Sequence, residues 1–252
     1  MMPPIEILAI IPARGGSKGI PRKNIRPFAG FPLISFSIAA ALQSELVTRT
    51  IVTTDDKEIA EVSRRYGAEI PFLRPDELAQ DQTTDLPVFQ HALTWLAEHE
   101  AYHPDVVVQL RPTSPVRSTN CVDNAIGLLL DNPEADCVRG VVPAGQDPHK
   151  MWRVDPHSNR MSPLLTVPGM EEPYNAPRQR LPPTYWQTGQ IDVLRPGTIL
   201  DKHSMSGNIL LALVLEAHYA VDLDTLSDWE RAELLVLQGG LGMVWPKGEK
   251  RA

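Results

Sequence analysis

Short apolar runs alternate with amphipathic stretches through the first 142 residues. Ile5–Ile11 (IEILAII) reads as a buried strand, and Pro32–Ser44 has the pattern of a helix. Arg49–Thr54 is rich in β-branched residues and predicts a strand; Asp56–Tyr66 predicts an amphipathic helix with Asp55 or Asp56 as its N-cap. Ala68–Leu73 reads as a short strand. Leu86–Glu98 predicts a helix capped by Asp85, and Val106–Leu110 a strand that is apolar except for Gln109. A helix over Val122–Leu130 and a strand over Cys137–Val142 follow. Strands and helices in this alternation build a mostly parallel sheet with helices on both faces.

Residues 143–186 break the pattern. They are rich in proline and polar residues and carry no helical period. A structureless loop of that length is rare inside a compact domain, so the segment predicts an irregular extension with short antiparallel strands. The α/β pattern then resumes with strands over Gln190–Leu194 and Leu210–Glu216 and a short extended piece at Tyr219–Val221. A closing helix spans Thr225–Gln238, with Asp224 or Thr225 as cap and Gly239 and Gly240 ending it. The expected organisation is one domain over residues 1–240, extended by 143–186, and a tail over 241–252 whose end, Lys247–Ala252, frays.

Composition narrows the class. At 252 residues the chain suits one large domain that needs no disulfides. A charged fraction of 22% and a mean hydropathy of -0.18 exclude a wholly disordered chain. No apolar run approaches the ~18 residues of a membrane span, and Ile5–Ile11 is too short, and lacks the basic leader, for a signal peptide. Cys121 and Cys137 make neither a metal set nor a disulfide framework; they read as reduced, buried thiols of a cytoplasmic protein. A net charge of -7 argues against a nucleic-acid binder. Proline, at 24 residues, is well above the usual ~5% and predicts many fixed turns.

Against that acidic background, Pro12–Arg26 (PARGGSKGIPRKNIR) carries five basic residues, Arg14, Lys18, Arg22, Lys23 and Arg26, and no acid. The loop follows the first strand, at the carboxyl edge where open α/β sheets bind ligands. Gly15, Gly16 and Gly19 would let the backbone approach an anion closely. The Walker A and G-x-G-x-x-G patterns are both absent. The plainer reading is a solvated basic loop. Asp222-x-Asp224 offers two carboxylates which, on an extended segment, would face one side and suit Mg²⁺; the plainer alternative is a helix cap and a solvated acid. Gln109–Arg117 (QLRPTSPVR) presents Arg111 and Arg117, whose planar forks fit a carboxylate or phosphate, or simply decorate a rigid turn. Pro177–Gly189 (PRQRLPPTYWQTG) mixes Arg178, Gln179, Arg180, Tyr185, Trp186, Gln187 and Thr188, a set suited to a polyhydroxylated anion or to an oligomer contact.

Taken together, these segments resemble the acylneuraminate cytidylyltransferase family. ILAIIPARGGSKGIPRKN, FLRPDELAQD, QLRPTSPVR, PRQRLPP and VDLDT stand in that family's order from about Ile5 to Leu237. The related Kdo enzymes open differently, with G-S-T/S-R-x-P-G-K character. The chain departs from the sialic-acid pattern at Arg111, where many members carry Gln, and at Gln187-Thr188-Gly189, where Asn-Gly is more usual.

The resemblance implies a nucleotide-diphospho-sugar transferase type of Rossmann-like fold and a reaction of CTP with an N-acylneuraminate, or with a legionaminic, pseudaminic, KDN or Kdo-type acid. A non-catalytic sugar-nucleotide sensor is the rival class. It implies Arg14, Lys23, Asp222 and Asp224 as catalytic residues, with Mg²⁺ or Mn²⁺ on the two aspartates. Ala13, Arg14, Gly15, Gly16, Ser17, Lys23, Asn24 and Arg74 would hold the nucleotide, and Gln109, Arg111, Arg178, Gln179 and Gln187 the sugar. Residues 143–186 would pack on a partner in a homodimer, with Arg178 or Gln179 near the partner's sugar site. Neither nucleic acid nor membrane is implied.

Overall fold

The computed structural model describes residues 4–247, so the end of the expected frayed tail, 248–252, lies outside the described residues. Strands β1 (Ile7–Pro12), β2 (Arg49–Thr53), β3 (Val106–Gln109) and β4 (Cys137–Pro143) alternate with helices α1 (Leu33–Leu42), α2 (Lys57–Arg65), α3 (Asp85–Glu100) and α4 (Cys121–Leu130). A small hairpin, β5 (Trp152–Val154) and β6 (Met161–Pro163), precedes β7 (Tyr185–Leu194), the short helix α5 (Pro196–Leu200), β8 (Leu210–Val214) and the closing helix α6 (Leu226–Leu237). The main sheet runs in the order β8-β4-β7-β3-β1-β2. β1 is parallel to β2 and β3, and β8 to β4. β7 lies antiparallel between β3 and β4. The expected mostly parallel sheet is present, with one reversed strand near its centre.

Alternation along β1 builds the layers. Ile7, Ala9 and Ile11 pack on one face with residues of α1, α2 and α4; Leu8 and Ile10 pack on the other with residues of α3 and α5. A third cluster joins Phe28, Phe36 and Trp229, with edge-on ring pairs 5.4 and 5.5 Å apart, and seats α6 against α1. Cys121 and Cys137 are free and buried, and burial raises their thiols to about 11 and about 12, so both stay protonated. No helix among the described residues is long and apolar enough to cross a membrane.

Four local expectations need correction. Ala68–Leu73 forms only a single bridge, Glu69 to Ile51, because Pro71 has no N–H to continue a ladder. Tyr219 ends a 3₁₀ turn, Ala217–Tyr219, instead of opening an extended piece; its ring is buried in the third cluster and its hydroxyl donates to the Gly242 carbonyl at 3.2 Å. β7 begins at Tyr185, five residues before the strand expected at Gln190. Asp85 does not cap α3. Thr84 holds that position, and the Asp85 carboxylate accepts instead from Gln109 and Arg111. Elsewhere the caps follow the sequence: Asp56 accepts from the N–H groups of Glu58 and Ile59, and Thr225 forms a capping box with Asp228. Residues 143–186 do form an irregular stretch with a short antiparallel hairpin and several 3₁₀ turns.

Candidate active site

A cavity of about 420 Å³ opens at the carboxyl ends of β1 and β3. One wall is the basic loop, lined by Arg14, Ser17, Lys18, Gly19, Lys23 and Asn24. A second wall is formed by Asp85, Arg111, Pro112 and Thr113, and Arg74, Asp81, Thr83 and Asp224 also line the cavity.

The five cations of the loop divide by direction. Arg14 lies 3.1 Å from Asp81 and donates to the Gln80 carbonyl at 2.7 Å, and Lys18 pairs with the same Asp81 carboxylate. Lys23 donates to the Leu223 carbonyl at 2.8 Å and stands 3.6 Å from Asp224. Arg22 turns away onto Asp56 and Glu58 at the start of α2, and Arg26 lies over the Trp229 ring at 5.5 Å. Three cations therefore face the cavity. Gly19 permits the tight approach of the two chains: a Cβ there would sit 2.6 Å from the Asp224 carbonyl oxygen.

The backbone cradle expected at Gly15–Ser17 takes a different form. The Gly15 N–H donates to Asp55 at 3.0 Å, and the Ser17 N–H to the Gly15 carbonyl at 3.1 Å. Ala13, Gly15 and Gly16 do not line the cavity; Gly16 is exposed, while Ala13 is buried and ties the loop to β2 through the Thr53 carbonyl at 3.0 Å. Asn24 is buried and braces the loop by donating to the Arg14 carbonyl at 2.9 Å. Arg74 is buried beside the cavity, donating to the Thr53 hydroxyl and carbonyl, and burial lowers its guanidinium to about 10.

On the second wall, Arg111 donates to Asp85 at 2.8 Å and to Asp192 at 3.1 Å. Gln109 is fully buried and reaches Asp85 at 2.7 Å, so it supports the wall without lining it. Arg117 is a correction: it offers no fork to a ligand. It is fully buried, donating to the carbonyls of Gln190 at 2.7 Å and Arg111 at 2.6 Å and to the Ser37 hydroxyl at 3.1 Å. Those bonds fix the turn that carries Arg111. Arg117→Ala would leave two carbonyls unpaired beside a void and should lower stability by about 3–5 kcal/mol in urea unfolding.

Arg178, Gln179 and Gln187 stand outside the cavity lining. Arg178 donates to the carbonyls of Ala144 and Gly145, Gln179 is exposed, and Gln187 accepts from Arg139 at 3.4 Å. Asp222 and Asp224 are split between two hollows. Asp224 faces the cavity, while Asp222 lines a shallower one with Asp228 and Arg231. The segment is irregular, not a strand, because the Leu223 N–H is drawn to the Thr113 carbonyl at 2.9 Å. The carboxylates still sense each other: partial burial, and then the charge of Asp224, raise Asp222 above the usual carboxylate range. The capping alternative for Asp224 falls away, because Thr225 and Asp228 cap α6.

Sequence reasoning missed Asp81, Thr83, Asp85 and Thr113 in the lining, and Asp192 and Arg139 behind it. The legible signals were an acid inside the apolar run Ile191–Leu194 and a second acid, Asp85, close after Asp81.

A family model described as cytidylyltransferase matches residues 8–153. A CMP-N,N'-diacetyllegionaminic acid synthase of Legionella pneumophila is 33% identical over 92% of this chain and 97% of its own length. The chain belongs to the acylneuraminate cytidylyltransferase family. Within that family, an N-acylneuraminate cytidylyltransferase of Escherichia coli is 30% identical over 90% of this chain, which spans 51% of the relative's length. The fold has a solved counterpart in a CMP-2-keto-3-deoxy-manno-octonic acid synthetase complexed with CTP, with a TM-score of 0.68 at 16% identity, covering 92% of this chain and 99% of that one. Membership in the family makes the chain a nucleotidyltransferase.

Proposed function

We propose that the chain activates a nonulosonic acid, CTP + N-acylneuraminate → CMP-N-acylneuraminate + diphosphate, with a legionaminic, pseudaminic, KDN or Kdo-type acid as the alternative acceptor. The observation that carries this reading is the cavity itself. Arg14, Lys18 and Lys23 supply cations suited to a triphosphate, and Arg111 and Asp85 line the same cavity of about 420 Å³, where an acceptor can be held beside it. The anomeric hydroxyl oxygen bonds to the α-phosphorus as the bond to the diphosphate oxygen breaks, in line, and the hydroxyl proton leaves to solvent or to the leaving group. Arg14 and Lys23 neutralise the charge that gathers on the departing diphosphate. Arg74 and Asn24 fix the nucleotide end of the cavity.

A divalent cation shared with the phosphates would be held by Asp224, which borders the cavity, and by Asp222, which lines a second hollow but is close enough to feel the charge of Asp224. Mg²⁺ or Mn²⁺ held there would stabilise phosphate charge and acidify the acceptor hydroxyl. Diphosphate release from CTP in the presence of a panel of nine-carbon acids tests the reading. Absence of release with every acid, from a folded chain supplied with Mg²⁺, would sink it.

The same reading makes the chain a cytoplasmic homodimer. Trp152, Val154, Met161, Tyr185 and Trp186 are all exposed on the hairpin β5–β6 and the start of β7, on either side of Arg178 and Gln179. Sedimentation should give about twice the 27.9 kDa chain mass. Trp186→Asp should shift the mass to that of one chain and lower activity with it. A fully active single chain would refute the assembly.

A further inference from the structure

Asp192 is a charged residue at the centre of a buried sheet. It lies on β7 between Ile191 and Val193 with no exposed surface, and its cross-strand neighbours are Gln109 on β3 and Arg139 on β4. Its two oxygens are divided. One accepts from Arg139 Nε at 2.6 Å, the other from Arg111 at 3.1 Å. Arg111 continues to Asp85 at 2.8 Å, and Gln109 meets the same Asp85 oxygen at 2.7 Å. At the outer end, Arg139 donates to the Met205 carbonyl at 2.9 Å and lies 3.4 Å from Gln187. Two arginines and two aspartates thus form a neutral cluster, and only Arg111 and Asp85 reach the cavity.

Stability does not explain such a cluster. Burying ion pairs carries a desolvation penalty that well-packed apolar residues avoid, and the flanking strand positions are apolar. Geometry offers a better reason. An arginine has five N–H donors in a fixed plane; the two aspartates take one from each terminal nitrogen of Arg111, leaving Nε and one N–H on each terminal nitrogen uncommitted. With both ends clamped, the plane of Arg111 is set before any ligand arrives.

We propose that Asp192 is a positioning residue for the acceptor: held by Arg139, it fixes the guanidinium of Arg111 so that its free N–H groups meet the carboxylate or hydroxyls of the acid sugar. The inference rests on the function proposed above, which puts the acceptor at this wall. Asp192 touches no substrate, so its effect runs through Arg111 alone. It belongs to the sugar's KM and leaves the CTP side, 14–24, untouched.

Steady-state kinetics with CTP and the turned-over acid sugar test this. Asp192→Asn should raise the KM for the sugar about tenfold or more, the scale of a misdirected charge-assisted contact, with the KM for CTP within about twofold. In an Arg111→Ala background, adding Asp192→Asn should change the sugar KM by less than about twofold, because a residue acting through Arg111 has nothing left to position. If Asp192→Asn alone folds poorly, Asp192→Asn with Arg139→Gln keeps the cluster neutral and should show the same split. An unchanged sugar KM in the folded variant, an equal rise for CTP, or a full effect persisting without Arg111 would each overturn the proposal. A wild-type chain that binds CTP but turns over no acid sugar would overturn the functional reading and this inference with it, an outcome visible before any variant is made.

Discussion

Asp224→Asn should lower turnover roughly 10²-fold or more while leaving the melting temperature nearly unchanged. The first half of that expectation follows from charge. If Asp224 ligates a divalent ion at the phosphates, the amide removes a full negative charge from the ion's surroundings, a change of the size seen when a group stabilising transition-state charge is deleted. The second half follows from the cap. Helix α6 begins at Leu226 with Thr225 and Asp228 supplying both halves of its capping box, so Asp224 has no cap to lose. Asp224 is itself exposed and stands 3.6 Å from the mostly buried Lys23, and a pair with one partner in water contributes little to stability. Asp222→Asn should be equally damaging to turnover. It should not destabilise the fold, because Asp222 already carries the penalty of partial burial beside a like charge. EDTA should abolish wild-type diphosphate release, and Mg²⁺ or Mn²⁺ should restore it. Near-normal Mg²⁺-dependent turnover in both variants would place the ion elsewhere.

The sheet was legible because its strands are written as apolar runs that need no partner to be recognised, such as Val106–Val108 and Ile7–Ile11. The basic loop was legible because five cations on an acidic chain stand out whatever their contacts. Less legible was the direction each cation takes. Arg22 and Lys23 are adjacent, yet one grips α2 and the other faces the cavity, and only the path of the loop decides which. Arg111 and Arg117 raise the same difficulty: both are forks on a proline-fixed turn, but Arg117 spends its donors on two backbone carbonyls and the buried Ser37 hydroxyl. The second wall was least legible. Gln109, Asp85, Asp192 and Arg139 come from three strands and a helix start, and they meet only because β7 enters antiparallel between β3 and β4. Local patterns do not encode that reversal. Asp85 shows the cost directly: before a helix it has the signature of a cap, and a tertiary partner, Arg111, claims it.

Arg14→Ala and Lys23→Ala should each weaken use of CTP by about 10- to 150-fold, the range for a lost charge-assisted contact of about 1.5–3 kcal/mol. Both cations border the cavity, and both already hold oxygen acceptors there: Arg14 with Asp81 and the Gln80 carbonyl, Lys23 with the Leu223 carbonyl and Asp224. Those acceptors mark where phosphate oxygens can be received. Arg22→Ala is the matched control. It removes an equal charge from the same loop, but Arg22 is committed to Asp56 and Glu58, so the KM for CTP should stay within about twofold. Asp81 gives a control of opposite sign. Arg14 and Lys18 share its carboxylate, and a triphosphate must compete for them. Asp81→Asn should therefore tighten CTP binding, by about two- to fivefold given the small worth of exposed ion pairs, and that gain should shrink as salt screens the contact. Calorimetric titration of CTP into the four variants separates the outcomes. Equal weakening by Arg22→Ala would mean that the loop acts through its net charge alone. Wild-type binding in both Arg14→Ala and Lys23→Ala would mean that the triphosphate lies on another surface.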